Sequence, residues 1–336
     1  MGLRRHRADV RVVAFDNLKR RGSELNLSRL RGAGVEFLHG DIRSPEDLEA
    51  VGPVDLVLEC SAEPSVLAGY SGSPAYVIHT NLTGTVNCLE FARRREAAMI
   101  FLSTSRVYPT KTINALACRE EATRFALSDK QMSPGASARG ISEEFPLIGA
   151  RSMYGTTKLC SEFLIQEYQE MYDLRAVVNR CSIITGPWQM GKVDQGVVVL
   201  WVARHLYGGK LDYIGYGGQG KQVRDMMHIE DVLELILYQM DHLEGLNGET
   251  FNVGGGLEVS ASLLELTAMC QEVTGNQIPI GGVPEDRPAD IRLYLTDYSH
   301  VNRVTGWRPK KTAPQILEEI VNWIRANYEE LRPILG

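Results

Sequence analysis

The stretch Ala98-Met-Ile-Phe-Leu-Ser-Thr-Ser105 joins five apolar residues to three hydroxyl residues. An apolar run of this length is typical of a strand that is buried on both faces of a parallel sheet. Similar short runs occur at residues 11–15, 35–38, 55–58 and 176–179. Stretches with the apolar periodicity of helices lie among them, at residues 81–95 and 152–172. Because strand and helix patterns alternate, the sequence predicts an α/β fold with a doubly wound parallel sheet.

The chain has 336 residues, of which 44% are hydrophobic, and a formal net charge of −6. This length suits two domains, or one large α/β domain with a smaller partner. An acidic chain has no general attraction for nucleic-acid phosphates, and the only dense basic segment lies at residues 4–21. The longest apolar run, residues 197–203, is far shorter than the ~20 residues that span a bilayer. We therefore expect a cytoplasmic protein that binds neither nucleic acid nor membranes.

The six cysteines are scattered, with no Cys-x-x-Cys pair and no histidine at a metal-binding spacing. In a chain of this length, such usage is typical of reduced and mostly buried thiols. We therefore predict neither a disulfide nor a metal site.

The strongest chemical signal is Tyr154-Gly-Thr-Thr-Lys158, which lies in one of the helical patterns. Residues four apart share one helix face, so the Lys158 ammonium group can lie near the Tyr154 phenol. A tyrosine with its usual pKa of about 10 is ionised in only about one molecule in a thousand at pH 7, and a nearby cation lowers that pKa. A Tyr-x-x-x-Lys pattern alone is more often a surface tyrosine and a solvated lysine. Its position after the hydroxyl cluster at residues 103–105, within a strand–helix array, favours a catalytic pair instead.

Asp16 directly follows one of the predicted strands. A carboxylate at that point can accept hydrogen bonds from the ribose hydroxyls of adenosine and repels a 2′-phosphate, so it favours NAD over NADP. The alternative is a turn formed by Asp16 and Asn17, and the basic residues at 19–21 leave NADP open. After the next strand, Asp41 and Ile42 can contact adenine, although Gly40 and Asp41 can equally form a turn.

The remaining segments are less regular. Residues 110–145 are loop-rich, and we expect them to form an insertion beside the strand ends, where folds of this class bind ligands. The glycine-rich residues 213–220 precede no immediate amphipathic helix, so they predict a loop of a substrate domain rather than a phosphate-binding turn. Residues 278–288 are rich in proline and suit a smaller domain built from separated segments.

A series of motifs runs along nearly the whole chain: Asp16-Asn-Leu18, Arg20-Arg-Gly-Ser-Glu24, Gly40-Asp-Ile42, Asn81-Leu-Thr-Gly84, Ser103-Thr104, Tyr154 with Lys158, Lys221-Gln-Val-Arg-Asp225 with His228 and Asp231, Phe251-Asn-Val-Gly-Gly-Gly256, and Gly306-Trp-Arg-Pro309. Together they resemble the extended short-chain dehydrogenase/reductases that act on nucleotide sugars. Within that family, residues 20–24, 194–196 and 221–225 look most like the CDP-paratose (CDP-tyvelose) 2-epimerase branch. The resemblance implies a Rossmann-like NAD-binding domain of residues 1–182, 222–258 and 291–308, and a substrate domain of residues 183–221, 259–290 and 309–336.

By this resemblance, Tyr154 is the general base, Lys158 orients the phenol and binds the nicotinamide ribose, and Thr104 hydrogen-bonds the reacting hydroxyl group. The implied cofactor is NAD. The residues expected to bind it are Asp16, Asn17, Asp41, Ile42, Ser61, Ala62, Asn81, Ser103, Tyr154, Lys158 and Ser182.

Arg224 and Arg287 match the arginines with which relatives hold the nucleotide diphosphate, a role that suits bidentate guanidinium–phosphate pairing. The alternatives are a salt bridge from Arg224 to Asp225 or Asp231, and a solvated loop position for Arg287. The residues expected to bind the nucleotide-sugar substrate are Thr104, Gln189, Gln195, Arg224 and Arg287.

Three departures from the family pattern bear on function. The family's opening strand and GxxGxxG turn are missing, and the chain begins within the expected first helix, at residues 2–6. Ser105 and Arg106 stand where the family's 4,6-dehydratases have an Asp-Glu pair for water elimination, which disfavours dehydration. Ile183 stands where many relatives have an asparagine near the sugar, and Glu59 and Glu63 replace the branch's usual His and Gln beside the cofactor. These replacements leave the identity of the sugar open.

The missing turn also bears on cofactor binding. A dinucleotide pyrophosphate is bound by the N–H groups of a glycine turn and the positive end of the following helix. Residues 1–16 supply neither, so we expect this chain to be a shortened form of one that is longer by about 20 residues, the size of a strand, a turn and part of a helix. The alternative is that Arg4, Arg5 and Arg7 replace the turn with side-chain cations.

The leading hypothesis is an isomerase, an NAD-dependent nucleotide-sugar epimerase that oxidises a sugar hydroxyl to a ketone and reduces the ketone from its other face. The branch resemblance implies C2 of CDP-paratose or CDP-tyvelose. The alternatives are a UDP-hexose 4-epimerase and a non-catalytic NAD-fold binding protein. Relatives pair the helices expected at residues 81–95 and 152–172 as a four-helix bundle, so we also expect a homodimer; alternatively, both apolar stripes face only their own sheet.

Overall fold

The computed structural model describes residues 1–191 and 195–336, so Asp194 of the motif at residues 194–196 lies outside the described residues. The strands are β1 (Val13–Asp16), β2 (Glu36–His39), β3 (Leu56–Glu59), β4 (Ala98–Thr104), β5 (Cys118–Glu120), β6 (Phe125–Leu127), β7 (Ala136–Ser137), β8 (Gly140–Ile141), β9 (Ala176–Cys181), β10 (Ile183–Thr185), β11 (Leu211–Ile214), β12 (Val223–His228), β13 (Thr250–Val253), β14 (Ser260–Ser262), β15 (Ile280–Val283) and β16 (Leu293–Tyr294).

The α-helices are α1 (Gly2–His6), α2 (Asn26–Gly32), α3 (Pro45–Glu49), α4 (Ala75–Ile78), α5 (Gly84–Arg94), α6 (Thr110–Asn114), α7 (Met153–Tyr172), α8 (Val197–Tyr207), α9 (Ile229–Asp241), α10 (Leu263–Thr274), α11 (Ser299–Thr305), α12 (Ala313–Ala326) and α13 (Tyr328–Leu335). Short 3-10 turns lie at Ser23–Leu25, Ser105–Val107 and Tyr216–Gly218.

A parallel sheet of four strands, in the order β13-β9-β4-β3, lies at the centre of the fold. Alternate residues of β4 face opposite sides of it. Met99 and Phe101 pack in a core with residues of α5 and α7, and Ile100 packs in another with residues of α9. Helices therefore cover both faces, which confirms the doubly wound α/β fold.

Every predicted strand is present and ends one or two residues later than predicted. The extension matters most in β4, whose Ser103 and Thr104 pair with Arg180 and Cys181 of β9. The hydroxyl residues that were expected to follow the strand therefore belong to it, because backbone pairing with β9 continues beyond the apolar run.

The first two strands form a separate parallel pair. Within the described residues, β1 and β2 pair with each other and with no other strand. Helix α1 precedes them at the residues expected from the sequence, and it packs against α9: a β-carbon on Gly2 would lie 2.4 Å from Leu233 Cδ2. An ion pair of 2.8 Å between Arg5 and Glu230 joins the same two helices.

Helix α7 begins as predicted because Ser152 caps it: its hydroxyl oxygen accepts a hydrogen bond from the Gly155 N–H group at 3.2 Å. The helix predicted at residues 81–95 consists of two elements, a π-helical segment His79–Thr83 and then α5. The Tyr168 hydroxyl donates to Glu90 Oε1 at 2.6 Å and so joins α7 to α5.

A further hydrophobic core lies among α8, α10 and α12, around the fully buried Val199, Cys270 and Ile316. Strands β10, β12, β14 and β16 form a mixed sheet beside it, and β11 pairs with β15. Of residues 213–220, which were predicted to form a loop, the first two belong to β11, and residues 215–220 form a loop that contains a 3-10 turn. This separate core supports two domains, whose boundaries stay a prediction.

Residues 110–145 are more ordered than the loop-rich pattern predicts. They contain α6 and the hairpins β5–β6 and β7–β8. Their sparse apolar residues, including Ile113, Leu127 and Ile141, are buried in a core with residues of β16. Hairpins this short carry too little periodicity for a sequence pattern to reveal them.

Candidate active site

The carboxyl ends of β4 and β9 lie at one edge of the central sheet, and a cavity of about 710 Å³ opens beside them. Its wall includes Thr104 at the end of β4, Tyr154 in the first turn of α7, and Ser182 just after β9. Residues of β11 and β12 and the segment around Arg287 line the cavity as well. This is the edge at which doubly wound folds bind ligands.

Gly155 allows α7 to approach the turn that follows β4. A β-carbon on Gly155 would lie 2.0 Å from the carbonyl oxygen of Arg106, so a larger residue requires one backbone segment to move. The approach brings Tyr154 beside Thr104, and both side chains line the cavity. The structure thus brings together the predicted base and the predicted hydroxyl ligand, which are 50 residues apart in the sequence.

The ionisation of Tyr154 is subject to opposing influences. The residue is half-buried, and its removal from water raises the pKa of the phenol. The charge of Lys158, the nearby Thr104 hydroxyl and the charge of Arg106 each act to lower that pKa. Burial is the largest of these influences, so the pKa of Tyr154 lies above its usual value, and the two cations offset part of that rise.

Lys158 lies one helical turn after Tyr154 and is buried. Its ammonium nitrogen is 3.4 Å from Glu59 Oε2, 3.4 Å from the carbonyl oxygen of Ser61 and 4.2 Å from the centroid of the Phe101 ring. The sequence places Glu59 only in the neighbourhood of the cofactor, whereas the structure pairs it with the catalytic lysine candidate.

Ser103 belongs to a buried polar network behind the cavity wall. Its hydroxyl donates to Glu162 of α7, and Glu162 Oε2 lies 2.7 Å from Nη2 of Arg180 in β9. Arg180 also donates to the Tyr108 hydroxyl at 3.2 Å. The network joins the ends of β4 and β9 to α7, and a contact between Ser103 and the cofactor stays a prediction.

The residues expected at the adenosine end lie together where β1 and β2 end. Asp16 is exposed, and its Oδ1 accepts a hydrogen bond from the Leu18 N–H group at 2.6 Å, so the turn considered for this position is present. Asn17 donates to Asp41 Oδ2 at 2.8 Å. The Arg43 guanidinium holds the pKa of the Asp41 carboxyl well below its usual range. Asn17, Asp41 and Arg43 border a shallow cleft beside Asp16.

Other cofactor candidates lie between the two ends. Asn81 is fully buried: its side-chain oxygen Oδ1 accepts from the Glu63 N–H group at 2.7 Å, and its side-chain NH₂ group donates to Thr157 Oγ1 at 3.2 Å. Ile42 is buried against the α-carbon of Gly84. Three further candidates are half-buried: Ser61 and Ala62 after β3, and Ser182 after β9. Their contact with a cofactor stays a prediction.

The two glutamines expected to bind substrate lie between β10 and α8. Gln189 lines the cavity and donates to the carbonyl oxygen of Ile184 at 2.8 Å. Gln195 donates to Glu63 Oε1 at 3.2 Å, and its side-chain oxygen accepts from Arg20. Gln195 therefore connects the substrate side of the cavity to the segments after β1 and β3.

Arg224 and Arg287 converge on Asp290, with shortest nitrogen–oxygen distances of 3.1 Å and 3.7 Å. The salt bridge considered for Arg224 thus has Asp290 as its partner, rather than Asp225 or Asp231. Arg287 is half-buried at the cavity wall, not a fully solvated loop residue.

Arg106 was not assigned a role from the sequence. Its guanidinium donates to the carbonyl oxygen of Ala289 at 3.3 Å, and it lines the cavity beside Tyr154. Burial, and next the charge of Arg224, lower its pKa to about 10, so Arg106 is a cation at neutral pH. Its place two residues after Thr104 is the signal that could have identified it.

No helix in residues 1–191 and 195–336 combines the length and the apolar character needed to cross a membrane. Within the same residues, no three His, Cys, Asp or Glu side chains are grouped closely enough to hold a metal ion.

Comparisons with known proteins agree with this geometry. The NAD dependent epimerase/dehydratase family matches residues 3–254. The CDP-paratose 2-epimerase of Salmonella typhi is 28% identical over 94% of this chain and 92% of that protein. The UDP-glucose 4-epimerase of Thermotoga maritima, solved with UDP-glucose, superposes with a TM-score of 0.76 at 25% identity, over 96% of this chain and 93% of that one.

The dTDP-glucose 4,6-dehydratase of Bacillus anthracis, solved with NAD, superposes with a TM-score of 0.75 at 25% identity, over 99% of this chain and 93% of that one. These matches confirm the predicted fold and family resemblance, and they confirm NAD as the family's cofactor. The chain belongs to the NAD dependent epimerase/dehydratase family.

Proposed function

We propose that this protein is an isomerase, a nucleotide-sugar epimerase that oxidises one sugar hydroxyl group and then reduces the ketone from its opposite face. One observation carries the proposal: Thr104 and Tyr154 interact in the wall of a large cavity, with Lys158 one helical turn away. NAD, when bound, supplies the hydride acceptor and donor for this chemistry.

The chain's own residues handle the proton. Tyr154, as phenolate, takes the proton of the sugar hydroxyl and returns it when the ketone is reduced. Thr104 holds that hydroxyl in place through a hydrogen bond. Lys158 and Arg106 stabilise the phenolate because both are cations near it.

The residues present fit NAD at its adenosine end and at its nicotinamide end. The exposed Asp16 carboxylate can accept from the adenosine ribose, and the shallow cleft bordered by Asn17 and Asp41 suits adenine. Lys158 has an N–H group beyond those that face Glu59 and Ser61, and it would hold the nicotinamide ribose. The described residues place no glycine-rich strand–helix turn between these two ends, so none of them is proposed to bind the pyrophosphate.

Epimerisation is favoured over dehydration by the residues next to Thr104. Elimination of water needs a group that donates a proton to the leaving hydroxyl. Where the dehydratases that the sequence resembles have Asp and Glu, this chain has Ser105 and Arg106, and both line the cavity. A guanidinium with a pKa of about 10 is a poor proton donor at neutral pH.

We propose a CDP-linked sugar as substrate, with CDP-paratose and CDP-tyvelose interconverted at C2. Arg106, Arg224 and Arg287 lie near the carboxylate of Asp290, so this part of the cavity wall brings together three guanidinium groups that suit a diphosphate. The resemblance of residues 20–24 and 221–225 to the 2-epimerase branch, and the similarity to the Salmonella typhi protein, support CDP and C2.

The test incubates the purified protein and NAD with CDP-, UDP-, GDP- and dTDP-linked sugars and separates the products by chromatography. We expect CDP-paratose and CDP-tyvelose to equilibrate without net formation of NADH. In heavy water, the hydrogen on the epimerised carbon should be retained, because the same hydride returns to it. Deuterium at that carbon would contradict transient oxidation there.

The other products distinguish the alternatives. Equilibration of a UDP-hexose would identify the 4-epimerase, and a 4-keto-6-deoxy sugar would identify a dehydratase. Turnover of none of these sugars would support the non-catalytic alternative.

We also propose a homodimer formed by α5 and α7. Three apolar side chains of α7 lie at its surface: Phe163, Met171 and Tyr172, which are 50%, 62% and 46% exposed. Apolar surface of this kind marks association sites. Light scattering should show a dimer that Phe163→Glu dissociates, and a monomeric wild type would contradict the proposal.

The compartment that we propose is the cytoplasm. The cysteines of the described residues are unpaired, and Cys88, Cys181 and Cys270 are buried. Free buried thiols are typical of a reducing compartment. Fluorescence microscopy of the tagged chain in cells tests this location. A periplasmic or secreted protein would contradict it.

A further inference from the structure

Lys158 and Glu59 form an ion pair that is almost entirely shielded from water. Their side chains are only 2% and 1% exposed, and Nζ lies 3.4 Å from Oε2. Glu59 is the last residue of β3, and its Oε1 accepts a hydrogen bond from the Ser61 N–H group at 2.6 Å. The carboxylate is therefore held from both sides, at a position where the branch that the sequence resembles has a histidine.

In the described part of the chain, Glu59 is the anion that faces Lys158. Glu162, one turn further along α7, instead binds Arg180. The other titratable groups near Lys158, apart from Tyr154, are the thiols of Cys60, Cys88 and Cys181. Burial raises the pKa of Cys181 to about 12 and that of Cys88 well above its usual value, so these two thiols are neutral at pH 7. Cys60 is exposed, and its pKa is raised as well.

A buried ammonium group without a counter-charge favours its neutral form, because burial penalises the charged one. A neutral amine gives the Tyr154 phenolate no stabilisation by charge. Glu59 also repels the phenolate directly, which acts in the opposite sense. Because charge interactions weaken with distance and Glu59 contacts Lys158 rather than the phenol, the effect through Lys158 is the larger one.

We propose that Glu59 is a positioning residue that keeps the Lys158 ammonium group charged and in place, and thereby determines how readily Tyr154 loses its proton. The proposal rests on the proposed function of Tyr154 as the general base. It assigns a role to the carboxylate that replaces the family pattern at the end of β3.

The test titrates Tyr154 in the full chain, without substrate, by the ultraviolet absorbance of tyrosinate. The chain has 13 tyrosines, so each variant is compared with the same variant carrying Tyr154→Phe, and the difference belongs to Tyr154. Glu59→Gln removes the charge and keeps a hydrogen-bond acceptor. It should raise the titration midpoint of Tyr154 by about one pH unit or more, the effect of losing an opposite charge nearby. Glu59→Asp keeps the charge, so its titration midpoint for Tyr154 should stay close to that of the wild type.

A second comparison tests the route through the lysine. Lys158→Met should raise the midpoint as well, and Glu59→Gln in addition to Lys158→Met should raise it no further, because Glu59 acts through Lys158. A midpoint in Glu59→Gln that equals or lies below that of the wild type would overturn the proposal. Additive shifts in the double variant would overturn the route through Lys158.

These readouts separate the proposal from the proposed function. The acidic limb of the pH profile of kcat/KM should move to higher pH in Glu59→Gln, in step with the titration. A chain that turns over no nucleotide sugar would contradict the proposed function, whereas the titration needs no turnover. If Glu59→Gln alone does not fold, Glu59→His, the residue type that the resembled branch has at this position, takes its place. It is neutral at the pH where Tyr154 titrates, so it should raise the midpoint as well, and an unchanged or lower midpoint would overturn the proposal.

Discussion

The α-carbon of Gly155 lies so close to the Arg106 carbonyl oxygen that a β-carbon on Gly155 would stand 2.0 Å from it. This contact joins the first turn of α7, which carries Tyr154, to the turn that begins at Thr104. The relative position of the proposed base and the proposed hydroxyl ligand is therefore set by an approach of two backbones. The smallest residue of the Tyr-Gly-Thr-Thr-Lys motif makes that approach possible.

Gly155→Ala should reduce kcat by about 10²-fold, because a misplacement of about 1 Å at a catalytic group has an effect of that order. Overpacking at the same contact should lower the free energy of unfolding by about 1–3 kcal/mol. Gly245→Ala is the matched control, since the nearest atom to its β-carbon is 3.7 Å away. Steady-state kinetics and urea unfolding measure both effects, and unchanged kcat in Gly155→Ala would show that the approach is not needed.

Tyr154→Phe removes only the ionisable hydroxyl and should lower turnover by about 10²–10⁴-fold while the fold is kept. Tyr238→Phe, in α9 and outside the cavity wall, should leave turnover unchanged. Chromatographic assay of the epimerised product measures the effect. Near-normal turnover of Tyr154→Phe would remove this residue from the mechanism.

Lys158→Ala should weaken NAD binding by about tenfold or more, because one hydrogen bond from a charged group to the ribose contributes about 1.5–3 kcal/mol. Lys310→Ala is the control, since this lysine is exposed and pairs with Glu234. Calorimetric titration with NAD gives the affinities, and circular dichroism checks folding because the variant leaves Glu59 buried without its partner. Equal NAD affinity of the two variants would contradict the ribose contact.

Arg224→Ala should weaken the binding of CDP by about tenfold or more, because the variant loses charge-assisted hydrogen bonds to the diphosphate. Cytidine, which has no phosphate, should bind the wild type and the variant alike. Arg308→Ala, at an exposed position, is the control. Calorimetric titration measures the affinities. If Arg224→Ala bound CDP as tightly as the wild type, the diphosphate would not contact Arg224.

Asp225 should make the protein less stable as the pH rises. It is fully buried in β12, and burial raises its pKa to about 6. In the unfolded chain the carboxyl ionises near pH 3.9, so its contribution to stability is present below about pH 4 and is lost as the pH rises through about 6. The loss is on the order of 3 kcal/mol.

Asp225→Asn cannot ionise, so its free energy of unfolding should lack this decrease. Urea unfolding of the wild type and the variant at about pH 4 and at about pH 7 measures the difference, and the other titrating groups cancel in the comparison. An identical pH dependence of the two proteins would show that Asp225 is not the group responsible.

Local patterns in the sequence identify the strands that later form the central sheet, because a buried strand must be apolar along its whole length. They also identify Tyr154 and Lys158, because a spacing of four residues within one helix determines that two side chains share a face. The end of β4 shows where this reasoning stops. Its last two residues are polar, and only pairing with β9 makes them part of the strand.

The sequence by itself therefore determined the α/β class, the strand positions and the tyrosine–lysine pair. Only the tertiary structure decided which charges meet: Glu59 reaches Lys158 across 99 residues, and Asp290 reaches Arg224 across 66. The physical reason is that such pairs form between separate elements, so their spacing along the chain carries no information. Because these pairs are shielded from water, each charge depends on its oppositely charged partner, and neither is stable alone.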